Sequence, residues 1–185
     1  MFKFRLTGTV ALLASLAAAS QAGTITRDDV FPFYGPNLVN YVAGQGSFPA
    51  VIINNPFPDD ADGSALSSEL HLPGFFAQAP VTAVASAVRK DGHLVLVFDP
   101  ATNYPGSRAI CADPDQFATA RRDATLRLQA VFCYNQDPVS EAYLETPRPQ
   151  GPHDAGFRQS LGQLMNVLLP SRTPDGEQCQ TAPNC

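Results

Sequence analysis

The sequence contains three histidines, whose side chains change charge near neutral pH. His71 and His153 lie in Pro-flanked segments, and His93 opens an apolar run. A serine hydrolase needs a nucleophile on a sharp turn, a histidine base and an acid that orients the base. The segment 44–47, Gly-Gln-Gly-Ser, does not match G-x-S-x-G because no Gly follows at position 48. An enzyme built from this chain therefore needs a site assembled from distant residues, such as His93 and Asp99.

Carboxylates are the second group with catalytic potential, because two of them together can serve glycoside hydrolysis. An acidic chain offers many such pairs, and the sequence gives no separation between their members. We therefore assign no catalytic residue from sequence, and we predict neither a cofactor nor a metal. The carboxylates considered are Asp99, Asp113, Asp115, Glu141 and Glu145.

One segment resembles part of a calcium-binding loop. The third, fifth and twelfth positions of that loop fall on Asp60, Asp62 and Glu69. The glycine of the sharp turn falls on Gly63. The first position falls on Pro58, which has no side-chain oxygen, and the residues before it are strand-like rather than helical. We therefore interpret the segment as a polar turn.

Residues 1–22 have the three regions of a cleavable secretory signal. A positively charged start is followed by an apolar run over 6–19 and by Ser20-Gln21-Ala22, with small residues where a signal peptidase binds. The apolar run of about 14 residues is shorter than the roughly 20 that span a bilayer. We predict cleavage after Ala22, with Ala19 as the alternative. The short Ala/Leu-rich signal indicates a bacterial protein that is periplasmic or secreted, without stable membrane insertion.

The net charge of the chain excludes one class of partner. The predicted signal holds two of the 12 basic residues and none of the 17 acids, so the mature chain carries about −7. Phosphate neutralisation needs grouped Lys and Arg. The densest basic group, Arg121-Arg122 with Arg127, lies beside Asp123. We expect a protein or small molecule as partner, and no nucleic acid.

All four cysteines follow the predicted signal: Cys111, Cys133, Cys179 and Cys185. An even number in an exported chain indicates disulfides, and four cysteines allow three pairings. We favour Cys111–Cys133, which joins segments near two strand candidates, and Cys179–Cys185, which pairs locally in a polar tail. The chain has no C-x-x-C redox motif and no close Cys/His pairs at zinc-finger spacing.

Aromatic residues cluster early in the mature chain, among Gly and Pro. Two interpretations stay open: core packing around a Pro-rich framework, or an apolar binding groove or partner surface. The cluster comprises Phe31, Phe33, Tyr34, Tyr41, Phe48 and Phe57, followed by Phe75-Phe76.

Two strands are clearest from the apolar pattern. Residues 93–98 read HLVLVF, and residues 126–133 alternate at first and then become fully apolar. Further strands are predicted over 38–43 and 50–54, with an extended leader over 23–36, loops over 59–68 and 101–125, and one helical turn over 117–120.

Three helices are predicted. The first begins at Pro80, has apolar residues at helical spacing and stops at Asp91-Gly92. A short helix is predicted over 138–144. The last is capped by Asp154 and ends before Pro170, with Phe157, Leu161, Leu164, Met165 and Leu168 on one face.

The order of these elements and the frequent prolines predict the fold. All 17 prolines follow residue 22, scattered between apolar segments, which is typical of a compact domain rich in fixed loops. Because strands and helices interleave, we predict a small α/β or α+β domain over 23–170. It has a single sheet of about three to five strands with helices packed on it. The signal 1–22 precedes this domain, and a polar tail, 171–185, follows it.

The sequence resembles a family of small exported proteobacterial proteins of unknown function. The resemblance spans about 50–170 and implies no activity, but it supports the Cys111–Cys133 bridge. Asp99 stands where the family pattern has Asn. The residues that carry the resemblance are 51–57 (VIINNPF), 94–100 (LVLVFDP), Cys111 and 130–133 (AVFC).

Two functions of different class follow from these observations. The first is a non-catalytic cell-envelope or secreted protein that binds a partner or small ligand, favoured by the missing catalytic signature and the early aromatics. The alternative is a hydrolase-like enzyme with a site assembled from distant residues.

The signal peptide gives a direct test. We expect N-terminal sequencing of the exported, purified protein to begin at Gly23, because Ala22 occupies the small-residue site. A protein that retains Met1 contradicts the export prediction and the compartment inferred from it.

Overall fold

The computed structural model describes residues 23–86, 91–101, 104–117 and 123–173. Within these ranges the chain forms an α+β domain with one mixed six-stranded sheet and four α-helices. The class agrees with the α/β or α+β prediction, but the sheet is larger than the three to five strands expected. The predicted signal, Cys179, Cys185 and most of the predicted tail lie outside the described residues.

The sheet has the spatial order β1-β6-β5-β4-β2-β3. Strands β1, β6, β5 and β4 pair antiparallel, whereas β2 is parallel to both β4 and β3. The strands are β1 (Thr24–Val30), β2 (Phe48–Ile53), β3 (Val81–Ala83), β4 (Gly92–Phe98), β5 (Thr125–Tyr134) and β6 (Asp137–Pro147). The helices are α1 (Pro36–Ala43), α2 (Ser64–Ser68), α3 (Ser107–Ala112) and α4 (Ala155–Leu168), with a 3-10 helix at Pro114–Phe117.

Strand β4 lies inside the sheet, and all of its residues are buried. A strand that is covered on both faces has to be apolar almost throughout, which explains the sequence HLVLVF. Leu94 and Leu96 belong to the main core on what we call the first face of the sheet. Val95 and Val97 belong to a smaller core on the second face. Both faces therefore need a covering layer.

Helices α1, α2 and α4 cover the first face. Helix α4 places the five predicted apolar residues on its buried side, and Asp154 Oδ1 accepts the N–H of Phe157 at 3.1 Å. Helix α1 packs on the start of β4 so closely that a Cβ at Gly92 would lie 2.2 Å from Val42 Cγ2. A glycine is therefore required at that contact.

Helix α3 and the 3-10 helix cover part of the second face. Ile110 and Cys111 pack with Val51, Val95 and Val131. Cys111 is bonded to Cys133 of β5, across a sequence separation of 22 residues. This confirms the first favoured pairing. In the chain-entropy model a bridge that closes a loop of this size stabilises the fold by about 3 kcal/mol.

Two predicted elements have the opposite secondary structure. The strand predicted over 38–43 is helix α1, because Pro36 sits in its first turn, where a missing N–H costs nothing. The start of the helix predicted from Pro80 is instead strand β3 (Val81–Ala83), which pairs parallel with β2. Residues 87–90 of that prediction lie outside the described residues. Phe48 donates its N–H to the Pro80 carbonyl at 2.9 Å. Pairing with the sheet therefore overrides the helical spacing of the valines.

The short helix predicted over 138–144 is wrong, because this segment belongs to β6. It forms a hairpin with β5 through a turn at Asn135, whose φ is +56°. Side chains of β6 alternate between the two faces, as a two-residue period requires. The polar residues Glu141 and Glu145 thereby lie opposite Val131 and Arg127 on the second face.

The remaining predictions are closer to the structure. The strands at 50–54, 93–98 and 126–133 and the last helix are confirmed within a few residues. The extended leader contains strand β1, and the predicted loops contain helices α2 and α3. Phe117 of the predicted helical turn ends the 3-10 helix, and 118–120 lie outside the described residues.

A buried carboxylate fixes the end of β4. Asp99 has a left-handed backbone, with φ +44°, and is 4% exposed. Its Oδ1 accepts the N–H of Arg127 at 3.1 Å, and its Oδ2 accepts Nη2 of Arg148 at 2.6 Å. This carboxylate therefore joins the end of β4 to β5 and to the residue that follows β6.

Asp99→Ala should lower the free energy of unfolding by about 2–4 kcal/mol, because Arg148 loses its counter-charge and Arg127 its acceptor. Asp99→Asn should cost less, since it keeps an oxygen acceptor and tolerates a left-handed backbone. Urea unfolding measures both, with the exposed Asp113→Ala as control. Equal losses for the Ala and Asn variants would contradict this assignment.

Candidate functional site

The second face of the sheet changes from apolar to polar across its width. Helix α3 covers the apolar half, on β2, β4 and part of β5. The polar half lies on β5, β6 and β1. From β2 to β1, two adjacent rows of paired residues read Val51-Val95-Val131-Glu141-Asp29 and Ile53-Val97-Gln129-Tyr143-Arg27.

A cleft of about 340 Å³ lies over this polar half. Gln129 and Glu141 of the sheet form its floor, and Arg27 and Asp29 of β1 line one side. The other side is the segment 104–107, which leads into α3. Clefts of this size are within the range that holds small molecules.

Tyr104 anchors the segment 104–107. Its ring lies 4.5 Å, centroid to centroid, from the ring of Tyr143. Its backbone is left-handed, with φ +60°, and such a conformation costs on the order of 1–3 kcal/mol for a residue other than glycine. Burial raises the pKa of Tyr143 to about 12. Tyr143 is therefore a neutral aromatic support for the cleft at physiological pH.

Glu141 is a buried carboxyl group, with the residue 7% exposed. Its Oε1 is 3.4 Å from Arg27 Nη2, and its Oε2 is 3.4 Å from Gln129 Nε2. Both distances exceed an ordinary hydrogen bond of about 2.9 Å. Burial raises the pKa of Glu141, although a hydrogen bond from Ser107 and the charge of Arg27 act in the opposite direction. The Glu141 carboxyl thus has spare capacity to accept hydrogen bonds.

Gln129 is also buried, at 3% exposure. Its Nε2 donates to the Pro105 carbonyl at 2.9 Å and faces Glu141 Oε2. Both partners are acceptors, so the amide nitrogen has to point toward them. The Gln129 Oε1 atom is buried and meets no donor from the described part of the chain. An unsatisfied buried acceptor costs about 1–3 kcal/mol.

Arg27 lies at the rim of the cleft and is the positive charge that faces the two carboxylates. Its Nε and Nη2 each donate to Asp29 Oδ2 at 3.0 Å. Its guanidinium carbon is 5.6 Å from the ring centroid of Tyr104. The hydrogen bond to Asp29 and the charge of Glu141 raise the pKa of Arg27. Arg27 therefore remains charged.

The Cys111–Cys133 bridge fixes the second wall of the cleft. Cys111 lies in α3, which begins at Ser107, directly after the lining residues Tyr104 and Gly106. A second link, Arg108 Nη2 to Asp137 Oδ1 at 3.3 Å, joins α3 to β6. The disulfide fits an oxidising compartment. No helix among the described ranges is long and apolar enough to cross a membrane.

The structure does not bring His93 and Asp99 together. They lie at opposite ends of β4, six residues apart, which corresponds to about 20 Å of strand. Asp99 is engaged by Arg127 and Arg148. The enzyme site suggested from these two residues is therefore not formed.

Of the carboxylates considered from sequence, Glu141 lines the polar cleft. Glu145 Oε1 is 3.3 Å from Arg127 Nε, and Asp115 accepts a hydrogen bond from Ser86. Asp113 is exposed at the end of α3. These three lie outside the cleft lining.

The calcium-like segment is a capped turn leading into α2. Asp60 accepts the N–H groups of Ala65 and Leu66 at 2.8 and 2.9 Å, and Asp62 accepts that of Ser64. Glu69 instead binds His153 and Arg158, as described below. Among the described residues, no group of three or more His, Cys, Asp or Glu side chains could hold a metal ion.

The remaining histidines lie away from the polar cleft. His153 Nδ1 is 2.6 Å from Glu69 Oε1, and Arg158 Nε is 2.6 Å from Glu69 Oε2. The hydrogen bond to His153 and the charge of Arg158 lower the pKa of Glu69. His71 lines a separate cleft of about 670 Å³ beside β3. In that cleft the hydroxyls of Ser67 and Ser68 donate to helix carbonyls, and that of Ser64 donates to Asp62 Oδ1, so we treat the cleft as secondary.

The early aromatics divide between the two interpretations. Tyr34, Phe48, Phe57 and Phe76 belong to the buried core. Exposed positions are occupied by Phe33, Tyr41 and Phe75. Phe31 is half-buried and lines the polar cleft.

Glu141 and Phe31 were named from the sequence, but the other residues of the cleft were missed. Gln129 was assigned to a strand, and Arg27 to an extended leader without a role. The available signal was the alternation of polar residues in β5 and in β6, each two residues apart. Read as strands, these segments place Arg127, Gln129, Glu141 and Tyr143 on one face.

The fold and the cleft define a class: a disulfide-bonded α+β domain with a polar cleft on the less covered face of its sheet. No family model matches the chain, and no curated protein matches it. Among solved structures, the PelC dodecamer from Paraburkholderia phytofirmans overlaps at a TM-score of 0.41 with 12% identity, over 82% of this chain and 99% of that chain. A variant of the same protein gives a TM-score of 0.41 and 13% identity, over 81% and 99%. We base no conclusion on overlaps this weak.

Glu141→Gln should remove part of the pH dependence of stability. The folded protein holds the Glu141 proton more tightly than the unfolded chain, because burial raises the pKa. Between about pH 4.3 and the raised pKa the folded state binds more protons, so this contribution to stability falls as pH rises. The Gln variant should lack this slope. Its stability relative to wild type should therefore be higher at pH values above the raised pKa than at pH values below about 4.3.

Urea midpoints across that pH range measure the difference, with Glu145→Gln on the same strand as the matched control. Glu145 is half-exposed beside Arg127, so its variant removes a carboxylate from the same strand without altering a buried group. Parallel profiles for wild type and Glu141→Gln would show that Glu141 does not titrate as a buried group.

Proposed function

We propose that this chain is an exported, non-catalytic protein of the periplasm or extracellular medium that binds a small polar ligand in the cleft over β5, β6 and β1. The carbonyl oxygen of Gln129 is the observation that carries the proposal. It is a buried acceptor with no donor in the described part of the chain, and it belongs to a residue that lines a cleft of ligand size. A ligand that donates a hydrogen bond there offsets an existing cost of about 1–3 kcal/mol.

The surrounding groups support a ligand site rather than a packing defect. Glu141 accepts two long contacts of 3.4 Å, and hydrogen bonds of a site are often long before its ligand is bound. Tyr104 holds a strained backbone at the wall, and strain of this kind is concentrated at binding and active sites. Export is supported by the signal-like segment 1–22 and by the Cys111–Cys133 bridge.

A hydrolase remains the second candidate, on one specific observation. Burial, with a contribution from the neighbouring Asp29, raises the pKa of Glu141, and two adjacent carboxyl groups in different environments are an arrangement used for general acid catalysis. No histidine lines the cleft within the described residues, so Ser107 has no imidazole base there. Binding without turnover is therefore favoured.

Gln129→Met should abolish ligand-induced stabilisation while leaving the fold intact. The variant loses the unsatisfied Oε1 and also the bond to Pro105, and because these effects oppose each other we expect a stability change below about 1 kcal/mol. Thermal unfolding is measured with D-glucose, D-ribose, ethanolamine, putrescine, urea and acetamide. A compound present at about ten times its dissociation constant stabilises wild type by about 1.4 kcal/mol.

Gln163→Met, an exposed position on α4, is the matched control and should respond as wild type does. If no donor-bearing compound distinguishes wild type from Gln129→Met, the binding proposal is wrong. The hydrolase candidate is separated by incubating the stabilising compound, or its p-nitrophenyl glycoside if it is a sugar, with wild type and Glu141→Gln. Product formation lost in Glu141→Gln would favour the enzyme.

A further inference from the structure

We infer that the polar cleft recognises a neutral polyol, of the class of a pyranose sugar with vicinal hydroxyl groups. This inference rests on the proposed function of the cleft and specifies its ligand. It draws on the charges, the hydrogen-bonding groups, the aromatic wall and the open position at Gly106.

The charges of the cleft favour a neutral ligand. Arg27 is paired with Asp29 at 3.0 Å and lies 3.4 Å from Glu141. A ligand cation would have to compete with Arg27 for the two carboxylates, and an anion would be repelled by them. A neutral molecule avoids both the competition and the repulsion, and it leaves the existing ion pair in place.

The hydrogen-bonding groups require a ligand that both donates and accepts. Gln129 Oε1 needs a donor. The Glu141 oxygens contact Arg27 and Gln129 at 3.4 Å and accept from Ser107, and a carboxylate has room for a further donor. Arg27 has five N–H donors and no acceptor, and its side chain is 51% exposed. A hydroxyl group donates once and accepts twice. Adjacent hydroxyls can therefore donate to Gln129 or Glu141 and accept from Arg27.

The cleft also offers an apolar wall for the carbon ring of such a molecule. Tyr104 is 42% exposed and is held in place by Tyr143 at 4.5 Å. Pro105 and Phe31 line the same cleft. A flat aromatic surface beside convergent polar groups is the usual composition of a small-molecule site. Simple amines and urea lack the carbon ring that would use this wall.

Gly106 provides a way to block the cleft without disturbing the core. It lines the cleft, and a Cβ placed there would meet no atom within 4 Å. Its φ of −62° and ψ of 128° are accessible to any residue. Gly106→Leu therefore puts a side chain into open space at the wall, and Gly106→Ser is the matched small variant, which also suits the first position of α3.

The test is isothermal titration of the oxidised, full-length mature protein with sugars that share a ring and differ in charge. The neutral probes are D-glucose and D-galactose, the cation is D-glucosamine, and the anion is D-glucuronate. We expect saturable binding of a neutral probe with a dissociation constant on the order of 1 mM or tighter. Both charged probes should bind at least tenfold more weakly. Gly106→Leu and Gln129→Met should weaken neutral binding at least tenfold. Gly106→Ser should weaken it less than Gly106→Leu does, and the exposed Gln163→Met, outside the cleft, should leave it unchanged.

Each outcome decides the inference. Tighter binding of glucosamine or glucuronate than of the neutral sugars overturns the polyol assignment but leaves a small-ligand cleft. Sugar binding that Gly106→Leu and Gln129→Met leave unchanged places the sugar elsewhere and also overturns it. If no sugar binds while ethanolamine, putrescine, urea or acetamide stabilises wild type and not Gln129→Met, the polyol class is wrong and the proposed function stands. If no compound of either set binds, both are wrong.

Discussion

Burial of strand β4 on both of its faces is the constraint from which the rest of the domain follows. Its apolar side chains point alternately to the two faces, so each face of the sheet requires a cover. The first face receives three helices, of which the 14-residue α4 is the longest. The second face receives the six-residue α3 and one 3-10 turn. A cover this short can be held in place only by additional links, which the Cys111–Cys133 bond and Arg108 provide.

The unequal covering of the sheet places the polar cleft where it is. Helix α3 protects the valines of β2, β4 and β5, and beyond it the same face carries Gln129, Glu141 and Arg27. These polar groups are close enough to water to be tolerated, yet buried enough for Glu141 to hold its proton more tightly. The segment 104–107 closes one side on its way into α3. Helix α3 and one side of the cleft are therefore parts of one continuous segment.

How much of this could be predicted depends on which pattern each segment carries. Residues 93–98 and 126–133 were predictable because their apolar runs fit only a buried strand. The segment 138–144 was not predictable as a strand, because Glu, Ala and Leu favour a helix in isolation. Its alternation of polar and apolar residues indicates a strand only once the segment is paired with β5. The cleft could not be predicted because its residues are distant in sequence. Arg27 and Gln129 meet through strand register, and Tyr104 reaches them from the segment before α3. The Cys111–Cys133 bridge was predictable because an exported chain with an even number of cysteines favours disulfides. The position of helix α3, which the bridge holds on the sheet, was not predictable.

Strand β1 forms an outer edge of the sheet and pairs with β6 along one side. Its start is fastened by the N–H of Gly23, which donates to Ser160 Oγ of α4 at 2.8 Å. Edge strands open more readily than central ones, so their amide hydrogens exchange faster. Because Arg27 and Asp29 belong to this strand and border the cleft, an occupant held by Arg27 also holds the strand to its neighbour. When a ligand occupies the cleft, the amide hydrogens of β1 should thus exchange more slowly than in the ligand-free protein, while those of β4 exchange at an unchanged rate.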